Sequence, residues 1–336
     1  MHKSLSHRDY YFDNARAFLI YLVVFGHLLN PYVEGHKYMG ALYLLIYSFH
    51  MPSFLFISGY FAKNIGKPDH LEKVAKKLLV PYFVFFSFFS IYYYLTGKSS
   101  HLQLDPFDPV FALWFLITLF IFHVVLVIVK NYKAYYVLPI AVIVSLLAGF
   151  SSDIDGYMSY SRTIVFFPIF YLGFLMNKHQ AMLLRNKKLI PISLLILVGF
   201  YIVYMIHPIN SDWLLGSSPY SSLDGPDVYS PLKRLLLYII ICATMFSFLN
   251  LIPSGLHWFT YIGQRTMYIY LLHGIAIGLI RGFKLYPFQD PVTLWTYLYL
   301  IGLTALIVYL LSTNFVAKWT NPVINLKSPS KFKSKL

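Results

Sequence analysis

Residues 8–32 read RDYYFDNARAFLIYLVVFGHLLNPY, an aromatic and aliphatic run that nevertheless holds a carboxylate at Asp13, a guanidinium at Arg16 and an imidazole at His27. On a helix at 100° per residue, the eleven steps from Arg16 to His27 return to within about 20° of one direction, and Asp13 lies about 60° or less from both. The three groups therefore form one stripe, with His27 about 16 Å beyond Arg16 by helical rise. A guanidinium suits phosphate or carboxylate binding, and an imidazole titrating near neutrality suits proton transfer. The plainer alternatives are a structural or snorkelling Asp13 and Arg16, and a neutral His27 tying two helices by one hydrogen bond.

Two further histidines bear on that choice: His50 in YSFHMPSFLFISGYF and His273 in YIGQRTMYIYLLHG. Both are expected near the depth of His27, a layer of three imidazoles able to pass a proton. No carboxylate stands at that depth to support metal ligands, so no metal is expected. His123 is read as a structural hydrogen bonder, and Ser58 in FISGYF as a weak candidate nucleophile. Arg265, at the mouth of a later span, joins Arg16 and the lysine-rich loop with Lys73, Lys76 and Lys77 as a set suited to a polyanion. For the loop lysines, simple topology charge competes with that reading.

Such a layer needs helices in a bilayer to hold it. The 336 residues are 58% hydrophobic and 12% charged, with mean hydropathy +0.62, outside the usage of soluble domains. Apolar stretches of span length number about ten: Asp13–Tyr32, Met39–Phe61, Leu78–Thr96, Val110–Lys130, Tyr135–Phe150, Thr163–Asn177, Leu189–His207, Leu232–Leu251, Trp258–Ile280 and Val292–Val316. The fold expected is an all-α polytopic transmembrane bundle. The net charge of +14 sits in short loops, which argues for topology and against nucleic acid. Alternate loops carry the lysines, so both termini are expected to be cytoplasmic. Residues 1–12 are then a cytoplasmic N-terminus, 13–317 the membrane domain and 318–336 a basic cytoplasmic tail facing lipid headgroups. The first span is read as a retained anchor, since no A-x-A-like site follows it. Cys242 is read as packing, and Gly274 with Gly278 as a close helix contact. Trp213, Tyr220 and Tyr229 in a long outer loop are read either as sugar-stacking rings or as interfacial anchors.

Taken in order, Asp13-x-x-Arg16 with His27, FHMPSFLFISGYF (residues 49–61), KKLLVPY (76–82), LWFLITLF (113–120) and YIGQRTMYIYLLHG (261–274) resemble the membrane-bound acyltransferase-3 family, especially the branch related to fucose O-acetylases. The resemblance implies a multi-pass O-acyltransferase, expected in a bacterial plasma membrane. Its donor would be cytoplasmic acetyl-CoA or another acyl-CoA, and its acceptor a hydroxyl of a cell-surface glycan or lipid-linked sugar. Partner proteins of a polysaccharide synthesis system would fit beside it. His27 matches the family's essential histidine and Arg16 its partner arginine, with Asp13, His50 and His273 around them. Arg16, Arg265, Lys73, Lys76 and Lys77 would hold the donor. Lysines stand where many relatives carry paired arginines, which keeps charge but loses bidentate geometry. The competing classes are a proton-coupled carrier or flippase for a glycan precursor, and a non-catalytic scaffold.

Overall fold

The computed structural model describes residues 9–223, 225, 227–286 and 291–324. Lys3 and Arg8, the acids Asp224 and Asp290, and the tail beyond residue 324 lie outside the described residues. Among the described residues the fold is all-helical: α1 (Tyr10–Leu29), α2 (Lys37–Phe61), α3 (His70–Leu95), α4 (Trp114–Val129), α5 (Ala134–Ala148), α6 (Tyr160–Leu175), α7 (Lys178–Leu183), α8 (Ile190–Ile206), α9 (Asp212–Leu215), α10 (Ser230–Asn250), α11 (Thr260–Gln264), α12 (Thr266–Gly282), α13 (Leu294–Leu311) and α14 (Asn314–Ile324). Seven of the described helices are long and apolar enough to cross a membrane, and α4, α5 and α12 are shorter apolar helices.

Every apolar stretch read from the sequence is helical, with four local differences. The third starts eight residues early, at His70, so Lys73, Lys76 and Lys77 stand on the first turns of α3 and not in a loop. The ninth stretch breaks at Arg265 into α11 and α12. The tenth breaks at Ser312, and α14 runs on through the boundary expected at residue 318, with Phe315 and Trp319 exposed and Ala317, Asn321 and Ile324 buried. The fourth starts only at Trp114, because Phe111 takes a left-handed conformation at φ 56° that no helix admits.

Polar groups on a membrane helix cannot face hydrocarbon. Accordingly α1, with Asp13, Asn14, Arg16 and His27, is the enclosed helix, packed on α2, α11, α12 and α13. Helices without such groups form the perimeter: α5 and α8 leave Ile140, Ile143, Leu195 and Val198 exposed to the lipid. Within the bundle α2 and α6 make the most extensive contact. A Cβ on Gly59 would stand 1.9 Å from the Phe170 carbonyl oxygen, and one on Gly173 1.9 Å from that of Phe56. This backbone-to-backbone contact is the small-residue crossing that had been expected of Gly274 and Gly278, which instead face the rings of Phe89, Phe111 and Tyr92.

The α3–α4 connector returns into the bundle. The Tyr82 hydroxyl donates to the Pro106 carbonyl at 2.5 Å, thirteen residues before α3 ends, which is about 20 Å along the helix. Met158 N–H donates to the Phe107 carbonyl at 2.7 Å. Irregular backbone survives at such depth because protein groups supply its hydrogen bonds.

Replacing Gly173 with Ala must push α6 off α2. A fall of about 3–10 °C in the melting temperature of the detergent-solubilised protein is expected; an unchanged melting curve would contradict this packing.

Candidate active site

The site begins where α1 is pinned at its N-terminal end. Asn14 Nδ2 donates to the carbonyls of Pro253 at 2.8 Å and Gly255 at 2.7 Å, and its Oδ1 accepts from Thr260 Oγ1 at 2.6 Å. Gly263 lets α11 approach so closely that a Cβ there would lie 1.7 Å from the Asp13 carbonyl oxygen. Asp13, 3% exposed, then accepts from Arg16 Nη1 at 3.2 Å and from Gln264 Nε2 at 3.4 Å. The carboxylate orients the guanidinium, which also lies over the Phe61 ring at 4.8 Å.

Arg16 opens onto a cavity of about 620 Å³. Its lining is exposed at Lys73, Lys77 and Asn64, which mark its mouth, with Arg16 and the bonded His70 and His123 among the other polar lining groups; Ile20, Val23, Met51, Phe54, Phe115 and Tyr270 are buried or half-buried lining. The cavity is therefore cationic where it opens and apolar where it ends. Arg16, Ile20 and Val23 follow one face of α1 at spacings of four and three, and His27 is the next residue on that face. Ser58 also lines the cavity, its hydroxyl bonded to the Phe54 carbonyl at 2.8 Å.

Beyond the cavity's end stand the histidines. His27 and His273 have ring centroids 5.3 Å apart, and Phe111 packs against them at 5.0 and 5.2 Å. His273 is fully buried; its Nδ1 faces the carbonyls of Tyr270 at 2.6 Å and Ile269 at 3.2 Å. Nδ1 must therefore carry the proton in the neutral ring, which leaves a lone pair on Nε2. That Nε2 is buried with no hydrogen-bond partner among the described residues. His50 joins through Tyr47, which meets His50 edge-on at 4.6 Å and packs on Gly26, beside His27. His50 Nδ1 faces the Ile46 carbonyl at 2.8 Å. His27 lies in the last turn of α1, nearer a helix end than the middle layer expected, and is the partly exposed member of the group.

The donor-side residues do not all gather. Arg265 donates to the Ser312 carbonyl and, at 2.5 Å, to Asn314 Oδ1, joining the α11–α12 break to the α13–α14 break, and it is not among the residues lining the cavity. Those two hydrogen bonds hold its guanidinium at the helix junction, so it braces helices there. Lys76 pairs with Glu72 and also stands off the cavity wall. Lys73 pairs with Asp69 yet lines the mouth, and Lys77 lines it too. The outer-loop rings divide similarly: Trp213 and Tyr220 are buried against each other under the Arg234 guanidinium, which leaves only Tyr229 exposed to meet a sugar or an interface.

Sequence reasoning missed several neighbours. Arg281 Nη2 donates to the His27 carbonyl at 3.3 Å, and the Tyr270 hydroxyl donates to the Ala112 carbonyl, anchoring the connector that carries Phe111. Lys98 lies 3.8 Å over the Tyr93 ring, its ammonium held below the usual lysine range by burial and then by Arg281. His70 Nε2 and His123 Nδ1 are 3.0 Å apart on the cavity wall. Among the described residues no three His, Cys, Asp or Glu side chains form a group able to hold a metal ion.

A cationic cavity thus lies along one face of α1, with paired imidazoles at the far end of that face, inside a membrane bundle. The acyltransferase domain family matches residues 9–313, and the chain belongs to that family. That membership favours the acyltransferase reading over the carrier and scaffold alternatives. The chain is also similar to nodulation protein NolL of Sinorhizobium fredii (strain NBRC 101917 / NGR234), 27% identical over 206 residues. That match takes in 56% of this chain and 55% of NolL, so the chain spans about half the length of that relative. No solved structure matches.

Phe111 reaches the histidines only because residue 274 has no side chain: a Cβ there would stand 2.6 Å from Phe111 Cε1 and 2.9 Å from Phe89. Gly274→Ala is expected to lower acyl-transfer turnover about tenfold to a hundredfold with protein levels maintained. Gly278→Ala, whose Cβ would stand 2.4 Å from the Tyr92 hydroxyl and 3.1 Å from two of its ring carbons and so leaves the Phe111 seat untouched, should cost less. Equal losses in the two variants would argue against a role for the Phe111 seat.

Proposed function

We propose that this protein transfers a short acyl group, acetyl in the first instance, from acyl-CoA to a hydroxyl of a cell-surface carbohydrate or its lipid-linked precursor, in a bacterial plasma membrane. The observation that carries this reading is the continuous face of α1 from Arg16 through Ile20 and Val23 to His27, with an amphipathic cavity along its first half. A phosphate-rich, flexible thioester matches the cavity's order of groups: anion at the Arg16, Lys73 and Lys77 mouth, thin apolar arm among Ile20, Val23 and Phe115, thioester directed toward the histidines.

The reaction then follows acyl-transfer chemistry. The acceptor oxygen attacks the thioester carbonyl while His27 takes the hydroxyl proton; the C–S bond breaks and the thiolate leaves, regaining that proton as thiol. His273, with an imidazole lone pair buried beside His27, supplies a second proton acceptor for the pair, and His50 completes the group through Tyr47. Asp13 orients Arg16 and does not itself touch substrate. Partner proteins of a polysaccharide synthesis system fit beside this protein.

Membranes containing the protein, radiolabelled acetyl-CoA and the host's glycan fraction provide the test. Wild type is expected to transfer label, with His27→Ala reduced at least about a hundredfold at matched expression. Arg16→Ala should raise the donor KM about tenfold or more, with Arg16→Lys intermediate. Undiminished transfer by His27→Ala would overturn the assignment of the base, and label that stays on coenzyme A with every acceptor fraction would overturn the carbohydrate acceptor.

A further inference from the structure

The cavity wall holds a second pair of imidazoles that the transfer chemistry does not use. His70 opens α3 and His123 lies two-thirds of the way along α4; Nε2 of the first and Nδ1 of the second are 3.0 Å apart, with ring centroids 5.0 Å apart. Both line the cavity with Arg16 of α1 and with Lys73 and Lys77 of α3. The acids nearby are committed elsewhere: Asp69 to Lys73 and Glu72 to Lys76. From α2 the wall presents Ser58, with Asn64 just beyond that helix; from α11 it presents Gln264; and from α6 the Phe170 ring packs on His123 at 5.8 Å.

Two neutral imidazoles joined by one hydrogen bond hold two N–H groups between them. One lies in the bridge. The other is on one outer nitrogen, and the second outer nitrogen is an acceptor, whichever tautomers are chosen. An acceptor facing a phosphate oxygen is repulsive. One added proton converts both outer nitrogens to donors and gives the pair a unit positive charge, the arrangement an anion favours. Anion binding and protonation of the pair are then linked, each favouring the other.

We propose that the His70–His123 pair is part of the donor's phosphate site and takes up one proton as the phosphate-bearing ligand binds. This inference rests on the acyl-CoA reading above, and its test separates the two. Dephospho-coenzyme A is the probe, because its diphosphate is a diester with no proton of its own to exchange near neutral pH. Titration calorimetry on the purified full-length protein at pH 7.5, in buffers of different ionisation heat, should show close to one proton taken up per probe bound. The Kd should rise with pH, by up to about tenfold per unit where the empty pair is neutral. His123→Gln and His70→Gln each keep a hydrogen-bonding side chain; each should bind about fivefold or more weakly and take up close to no proton. Binding by wild type without proton uptake, or the same uptake in both variants, overturns this inference and leaves the donor reading intact. No binding by wild type at any pH overturns both.

Discussion

A helix that carries Asp13, Asn14, Arg16 and His27 cannot lie against lipid, and much of the architecture follows from giving those groups partners. Four helices surround α1, and each supplies or permits a specific contact. The 253–260 segment satisfies Asn14, α11 brings Gln264 to Asp13 through the bare backbone of Gly263, and Arg281 at the end of α12 binds the last turn of α1. An unsatisfied polar group in hydrocarbon costs several kcal/mol. Such contacts are therefore conditions for α1 to be in the membrane at all, and the alignment of Arg16 with His27 is held by the same contacts.

The two ends of that helix face different surroundings. Around Arg16 the bundle opens into a cavity edged with cations; at the other end Phe111 packs on the partly exposed His27 and the buried His273. That packing comes from a segment with no regular structure, held by the Tyr82 and Tyr270 hydroxyls and by the Met158 N–H. It also requires a phenylalanine in the left-handed region, a conformation costing of order 1–3 kcal/mol. The surrounding packing sustains that cost: the tyrosine anchors on either side of Phe111 and the space at Gly274 leave its ring one seat. An acyl-transfer site gains from such a cover, since water competes with any acceptor hydroxyl.

Much of this was legible in the residues. Hydropathy and the 3.6-residue period located ten apolar helices and the α1 stripe, and the ordered motifs pointed to the family that the chain matches over residues 9–313. The breaks at Arg265 and Ser312 fall in short polar runs, GQRT (263–266) and STN (312–314), that hydropathy averaged over a span length smooths away, and the hydrogen bonds joining the two junctions are not local. Nor was the pairing of His70 with His123 legible; they are 53 residues apart and show no shared period. Trp213 and Tyr220 looked like exposed loop rings, yet Arg234 draws both into the interior.

The sequence by itself determined that the chain enters a membrane as helices and that one of them must be enclosed, because hydropathy and periodicity are properties of neighbours along the chain. It also put Arg16 and His27 on one face, since helical geometry alone relates them. Which of the basic residues reach the cavity was decided only by tertiary structure. Arg16, Arg265 and Lys77 are alike in charge and in nearness to a span end, but packing turns Arg265 to a carbonyl at the end of another helix and leaves Arg16 and Lys77 on the cavity wall, whereas the pairing of Lys76 with Glu72 is a local i,i+4 contact. A side chain's partners in space depend on how helices cross, and no local pattern carries that information.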